Sequence, residues 1–126
     1  MSQRDDAAGT EQTVRRYFAN LYGGDWESLL ADDMLFINNG KASPRGKAVY
    51  VAATKRFMQV AKSVDLQKLI VDVDAACALS SYTLVSPSGN TGVCLVAEFF
   101  SVTGGKIQSN EIVFDLAAFN ALMAKR

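Results

Sequence analysis

The chain has 126 residues, of which 49% are hydrophobic and 21% charged, and its 13 basic residues balance 13 acidic ones. A chain of this length folds as one domain that buries roughly two thirds of its unfolded surface. It has neither a net charge nor a long apolar run, so we expect no nucleic-acid partner and no membrane partner. The polar, acidic stretch 1–10 lacks the apolar core of a secretory signal. We expect a flexible tail there and a single domain over 11–126.

Histidine is absent, which excludes histidine-dependent catalytic triads, histidine-ligated zinc and a histidine pH switch. The sequence contains no Walker loop, and no strand is followed by GxGxxG, so we expect no metal and no cofactor. The two cysteines, Cys77 and Cys94, lie on consecutive predicted strands. Folding that hairpin about Ser88 and Gly89 places Cys77 near Phe100, so we expect no disulfide. Two buried thiols are typical of a cytoplasmic protein.

Helical spacing dominates the first half of the chain. A first helix is predicted to end at the double glycine Gly23-Gly24, and its apolar face is spaced i, i+3, i+4, i+7, i+8. That face consists of Val14, Tyr17, Phe18, Leu21 and Tyr22. Asp25 suits the N-cap of a short second helix with Trp26, Leu29 and Leu30 inward. A strand over 34–38, a loop and a third helix over 46–63 complete this half.

The second half is β-rich. Strands are predicted over 65–74, 75–86, 93–103 and 107–115, and the turn material between them favours an antiparallel meander. A short C-terminal helix carries Leu116, Phe119, Leu122 and Met123. This helix either caps the mouth of a cavity or lies against a partner.

The strand over 93–102 is apolar on both faces. Its even positions, which include Glu98, alternate with odd positions that include Leu95 and Phe99. A sheet buried on both sides needs a cover on each. We therefore expect a homodimer through the outer face of the sheet.

Three segments carry a resemblance to a known family: YFANLYGGDWESLLADDMLFINN, the Pro44-Arg45-Gly46-Lys47 entry to the third helix, and the closing EIVFD. Together with the order of elements over about residues 11 to 116, they resemble the nuclear transport factor 2-like superfamily. The nearest groups are the SnoaL-like polyketide cyclases and the ketosteroid isomerases.

The resemblance implies an α+β fold in which three N-terminal helices pack on a curved, mostly antiparallel sheet. The sheet forms a cone-shaped barrel that encloses a cavity for a small hydrophobic molecule, and a short C-terminal helix follows it. The superfamily includes isomerases, cyclases, epoxide hydrolases, dehydratases and non-catalytic binders, so the fold alone does not define the activity.

Three positions carry over as candidate catalytic residues. Tyr17 matches the oxyanion-hole tyrosine of the ketosteroid isomerases, and Glu98 stands where that family keeps a protonated aspartate. Asn38 stands where the family has its aspartate base, and an amide cannot abstract a proton. The cavity histidine of the cyclases is absent, and no arginine lies on a strand as the epoxide hydrolase pattern requires.

The residues themselves make Glu98 unusual, because Val96 and Phe100 flank it on one stripe and poor solvation raises the pKa of a carboxyl. A neutral carboxylic acid can donate a hydrogen bond. The alternative is a glutamate at a strand end that reaches solvent or a lysine.

Two registers of the last two strands are open. A two-residue turn at Gly104-Gly105 pairs Glu98 with Glu111, and a three-residue turn pairs it with Asn110.

We prefer Asn110, because the family's inward positions then fall on Gln108, Asn110, Ile112 and Phe114, with Glu111 and Asp115 facing outward. The expected ligand-binding residues are Trp26, Phe36, Phe57, Met58, Tyr82, Phe100, Asn110 and Phe114. Some of the apolar ones must be plain core, and packing is an alternative role for the Tyr17 and Tyr82 rings.

Three functions remain open at this point. The first is an isomerase, cyclase or dehydratase that acts on a small hydrophobic carbonyl compound, with Tyr17 and protonated Glu98 stabilising an enolate-like oxygen. The second is a non-catalytic homodimeric binder of an apolar ligand. The third is a scaffold that uses only its outer sheet and has a filled interior.

Overall fold

The computed structural model describes residues 3–126. Its elements follow one another as α1 Gln3–Asn20, a 3₁₀ turn Glu27–Leu29, β1 Leu30–Asn38, β2 Lys41–Ala42, α2 Lys47–Met58, β3 Ala61–Asp72, β4 Ala75–Val85, β5 Thr91–Thr103, β6 Lys106–Phe114 and α3 Leu116–Ala124. The strands form one sheet in the order β2-β1-β6-β5-β4-β3. β1 and β6 are parallel, and the other neighbours are antiparallel. The α+β fold is confirmed, but the sheet is open at both edges and does not close into a barrel.

The N-terminal helix is longer than predicted. It begins at Gln3, so residues 3–10 are helical where the sequence pattern predicts no element, whereas Met1 and Ser2 lie outside the described residues. The flexibility expected of 1–10 stays a prediction. The end of this stretch is anchored to the turn between β3 and β4, because Thr10 is buried and its hydroxyl donates a 2.6 Å hydrogen bond to the carbonyl of Val73. A tertiary contact of this kind leaves no apolar pattern in a polar sequence.

The predicted second helix is a single 3₁₀ turn. Asp25 accepts a 3.2 Å hydrogen bond from the Ser28 amide, in the manner of a cap, and Trp26, Leu29 and Leu30 are buried as expected. The structure therefore has two α-helices, not three, before the β-rich half. β1 begins at Leu30, four residues earlier than the sequence pattern predicts.

The predicted third helix is too long at its C-terminal end. α2 ends at Met58, and by Ala61 the chain is already in β3, paired with Leu84. Val60 accepts a 2.8 Å hydrogen bond from the amide of Val85, which fixes the exit from the helix. Val60 and Val64 fit helical spacing in the sequence, but Val64 lies in a strand.

A bulge sets the register between β5 and β6, and both predicted registers are wrong. The two-residue turn at Gly104-Gly105 does pair Thr103 with Lys106, but Gln108 is then left out of the ladder. The pairing shifts by one residue, so Glu98 lies opposite Ile112. An extra residue in one strand moves every later side chain of that strand to the opposite face of the sheet.

Because of the bulge, Asn110, Ile112 and Phe114 share a face with Glu98, whereas Glu111 is exposed. The predicted inward set is confirmed at these three positions. It is wrong at Gln108, where Ile107 is the fully buried residue.

The helices pack on the inner face of the sheet. Asp115 is the N-cap of α3, and its carboxylate accepts a 3.0 Å hydrogen bond from the Ala118 amide. It lies close to β5, since a Cβ added at Gly92 would be 2.8 Å from Leu122. Among residues 3–126, none of the helices has the length and apolar character needed to cross a bilayer.

The cysteines are free, as predicted. Cys77 pairs with Phe99, one residue from its predicted neighbour Phe100, and Cys94 pairs with Tyr82.

Two adjacent residues at the bulge test the register of β5 and β6. Ile107→Ala removes a fully buried side chain and should lower the free energy of unfolding by about 2–5 kcal/mol. Gln108→Ala, the matched control at the bulge, should change it by less than about 0.5 kcal/mol. Urea denaturation measures both, and the reverse order of effects would contradict the register.

Candidate ligand cavity

A cavity of about 470 Å³ lies between the inner face of the sheet and the three helices. Exposure separates its floor from its mouth. The floor side chains are buried and polar, namely Tyr17, Tyr50, Tyr82 and Glu98. The mouth consists of exposed lining residues, namely Arg56, Gln59, Pro87 and Leu116. The volume is in the range of small-molecule sites.

A continuous hydrogen-bonded network crosses the floor. The Tyr82 hydroxyl donates to Glu98 Oε2 over 2.9 Å, and Asn110 Nδ2 donates to Glu98 Oε1 over 2.9 Å. The same amide nitrogen donates to the Tyr50 hydroxyl over 2.8 Å, and the Tyr50 and Tyr17 hydroxyls are 2.6 Å apart. The predicted contact between Glu98 and Asn110 is therefore present, although the two residues are diagonal and not opposite each other.

Tyr50 is the network member that the sequence reasoning missed. Val49, Ala53 and Phe57 also recur at helical spacing and predict an inward stripe that leaves Tyr50 out, whereas Tyr50 is 1% exposed. A signal was present, since Tyr50, Ala53, Thr54 and Phe57 recur at i, i+3, i+4 and i+7, and all four line the cavity. Arg56 and the α3 residues Phe119 and Met123 also line it. The C-terminal helix therefore lies over this cavity.

Asn38 lines the same cavity but lies apart from Glu98. Both residues pair with Ile112, Asn38 from β1 and Glu98 from β5, so the three form one row across three strands. Two strand spacings amount to roughly 10 Å. Asn38 is half-buried, and its Oδ1 accepts a 3.3 Å hydrogen bond from Asn39. The structure thus joins Tyr17 and Glu98 through a network and leaves Asn38 across the cavity.

The predicted apolar lining divides into two groups. Phe36, Phe57, Met58, Tyr82 and Phe114 line the cavity. Trp26 and Phe100 were expected there as well, but they are core residues that pack edge-on against the Tyr17 ring at 6.0 and 5.6 Å. Asn110 is fully buried beneath the floor and contacts Glu98 instead of the cavity.

Burial controls the protonation of the network. It raises the pKa of the Glu98 carboxyl above its usual value of 4.5, against the opposing effect of the hydrogen bonds from Asn110 and Tyr82. Burial also raises the pKa of Tyr17 well above 10.0, with further contributions from nearby Tyr50 and Glu98. Tyr82 is shifted in the same direction, first by burial and then by Glu98. The phenols are therefore neutral donors at physiological pH.

The chain has the α+β fold of nuclear transport factor 2-like proteins. The chain belongs to the SnoaL-like domain family, whose model matches residues 14–110. No curated protein is similar to the chain at a significant level.

Solved structures share the fold at low sequence identity. One is a protein from Jannaschia sp. CCS1 assigned as a SnoaL-like polyketide cyclase, 18% identical, with a TM-score of 0.82 and 95% of each chain covered. TerC, which was co-crystallised with polyporic acid, is 17% identical, with a TM-score of 0.78 and coverage of 93% of this chain and 99% of TerC. A protein from Kribbella flavida assigned as a ketosteroid isomerase is 19% identical, with a TM-score of 0.74 and coverage of 87% and 80%. At these identities the likeness concerns the fold alone.

The raised pKa of Glu98 makes stability depend on pH. The folded state holds the proton that the unfolded state releases above about pH 4.5, so stability falls as pH rises from there through the folded-state pKa. Glu98→Gln lacks this carboxyl and should not lose stability in this way. Its free energy of unfolding, relative to that of the wild type, should therefore increase with pH across this window, by at most about 1.4 kcal/mol per pH unit.

The matched control is Glu111→Gln, which removes an exposed carboxyl on the neighbouring strand. Urea denaturation series measure both variants against the wild type, and the gain with pH should be larger for Glu98→Gln, because Glu98 is the buried carboxyl. A difference between Glu98→Gln and the wild type that does not change with pH would mean that the carboxyl is solvated in the folded protein.

Proposed function

We propose that the protein acts on a small hydrophobic carbonyl compound as an isomerase, cyclase or dehydratase. In this proposal the Tyr17–Tyr50 pair and protonated Glu98 donate hydrogen bonds to the substrate oxygen as it gains negative charge. Preorganised donors of this kind contribute on the order of a hundredfold in rate each. The apolar walls hold the carbon skeleton.

The hydrogen-bonded floor is the observation that carries this proposal. Tyr17 and Tyr50 share a single 2.6 Å hydrogen bond, so one of their two phenolic protons is not used in that bond, and both side chains line the cavity. Thr54, which also lines the cavity, is a further hydrogen-bond partner of Tyr50. Asn110 Nδ2 holds Tyr50 and Glu98 in place, while Asn110 Oδ1 is buried without a partner among residues 3–126. An unpaired buried acceptor costs stability, which favours a functional reason for this cluster.

Glu98 acts in this proposal as a donor and not as a general base. Its raised pKa favours the protonated form, and the floor surrounds it with phenols instead of cations. Asn38, across the cavity, can orient a second polar group of the substrate but cannot take a proton. The proton acceptor is then solvent or the substrate itself.

One observation favours a second candidate, a non-catalytic binder. Both Glu98 oxygens already accept hydrogen bonds from the protein, and within residues 3–126 no other carboxyl lines the cavity. In this case the same donors only orient a guest carbonyl.

Deuterium exchange separates the two candidates. The probe is 2-tetralone, a bicyclic ketone whose hydrogens next to the carbonyl exchange in D₂O through an enolate, and NMR measures the protein-dependent rate. The enzyme proposal predicts acceleration by the wild type, a loss of about a hundredfold in Glu98→Ala and retention within about tenfold in Glu98→Gln, because the amide N–H still donates. The wild-type rate should fall as pH rises through the raised pKa of Glu98.

Each alternative gives a distinct result. If Glu98 is a base, the rate rises with pH and Glu98→Gln is as inactive as Glu98→Ala. If the protein binds 2-tetralone without accelerating exchange under any condition, the binder candidate replaces the enzyme.

We also propose that the protein forms a homodimer through the outer face of the sheet. The three helices pack on the inner face, and the outer face presents exposed apolar side chains, among them Val93 at 69%, Leu95 at 56%, Phe99 at 48% and Val113 at 45%. A contiguous apolar surface of this kind is typical of an interface. A two-fold axis through the patch would bring the same apolar patch of both subunits into contact.

Sedimentation equilibrium tests the dimer. Leu95→Lys places a charge in the middle of the patch and should give a monomer with unchanged secondary structure. Ala52→Lys is the matched control, because Ala52 is exposed on α2, away from the sheet. Leu95→Lys sedimenting with the same mass as the wild type would contradict this interface.

A further inference from the structure

Arg56 differs in its contacts from two other cations, Lys55 and Arg45. Its neighbour Lys55 pairs with Glu27 at 3.3 Å, and Arg45 donates a 3.3 Å hydrogen bond to the carbonyl of Asp33. Among residues 3–126, no ion pair or side-chain hydrogen bond involves the Arg56 guanidinium. Arg56 nevertheless lines the cavity and is exposed at its mouth.

No carboxylate at the mouth of the cavity neutralises the positive charge of Arg56, as far as the described lining residues show. Glu98 is the single carboxyl among the described lining residues, and it lies on the buried floor with a raised pKa. The rim beside Arg56 is uncharged, since it consists of Gln59, Pro87 and Leu116. The cavity therefore has hydrogen-bond donors at the floor, apolar walls and one free cation at the opening.

We propose that Arg56 selects ligands that carry an anionic group at the end remote from the floor. The ligand is then a hydrophobic organic anion, with its carbonyl on the floor donors and its carboxylate or similar group at Arg56. This inference rests on the proposed ligand-binding function and narrows the chemical class of the ligand. A guanidinium suits the role because it is always charged and binds carboxylates through two parallel N–H groups.

Two fluorescent probes that differ in one group provide the test. 8-Anilinonaphthalene-1-sulfonate carries a sulfonate, and N-phenyl-1-naphthylamine is the same molecule without it. The wild type should bind both, each displacing the other. Arg56→Gln should weaken the anionic probe about threefold or more at low salt, and Arg56→Glu should weaken it further. The affinity of both variants for the neutral probe should stay within about twofold of the wild-type value.

Lys55→Glu is the matched control for Arg56→Glu. Both variants change the net charge by the same amount on adjacent residues of α2, but Lys55 does not line the cavity. Lys55→Glu should bind both probes with affinities within about twofold of the wild-type values. The preference for the anion should also shrink as salt screens the pair.

The outcomes separate this inference from the function on which it rests. Equal effects of Arg56→Glu and Lys55→Glu on the anionic probe overturn the role of Arg56, and so does an anionic probe that fails to displace the neutral one. In both cases the cavity proposal stands if the neutral probe binds. If neither probe binds the wild type, both proposals are overturned. Thermal melts confirm that each variant is folded, and Arg56→Gln keeps the test usable if charge reversal unfolds the chain.

Discussion

Burial of the Glu98 carboxyl in the middle of the sheet is the constraint on which the rest of the site depends. A carboxyl that is 2% exposed loses its hydration, so it must find hydrogen bonds and favours its neutral form. Asn110 and Tyr82 supply one hydrogen bond to each oxygen. Both come from strands that flank β5, and Asn110 extends the network to α1 and α2 through Tyr50 and Tyr17.

The bulge at Gln108 makes this network possible. Without it, the tight turn at Gly104-Gly105 would continue a regular ladder, and Glu111 would share the inner face with Glu98. Two carboxyls would then compete for one buried site, and each would raise the pKa of the other. The extra residue places Asn110 inward instead, so an amide and not a second acid meets Glu98. Register and chemistry are thus coupled in this hairpin.

Much of this arrangement was predictable from the sequence, because apolar periodicity and turn residues report on local structure. The fold, the inward Tyr17 and Glu98, and the face of Asn110 all followed from spacing or from family resemblance. The bulge, the anchoring of Thr10 and the role of Tyr50 did not. Thr10 and Tyr50 depend on contacts between distant segments, Thr10 with Val73 and α2 with the floor. The bulge lies within the β5–β6 hairpin, where the length of the turn does not define the pairing beyond Ile107.

Fold similarity does not define the chemistry, since related folds support several reactions. The chemistry of this cavity depends on whether Glu98 holds a proton. The most direct measurement is a ¹³C NMR titration of the side-chain carboxyls of the four glutamates, with the Glu98 signal assigned by its loss in Glu98→Gln. The structure predicts that Glu98 titrates above the ordinary value of 4.5, because it is buried. A Glu98 that titrates at or below 4.5 would contradict the role of Glu98 as a neutral donor, since the carboxyl would then be an ionised, solvated group.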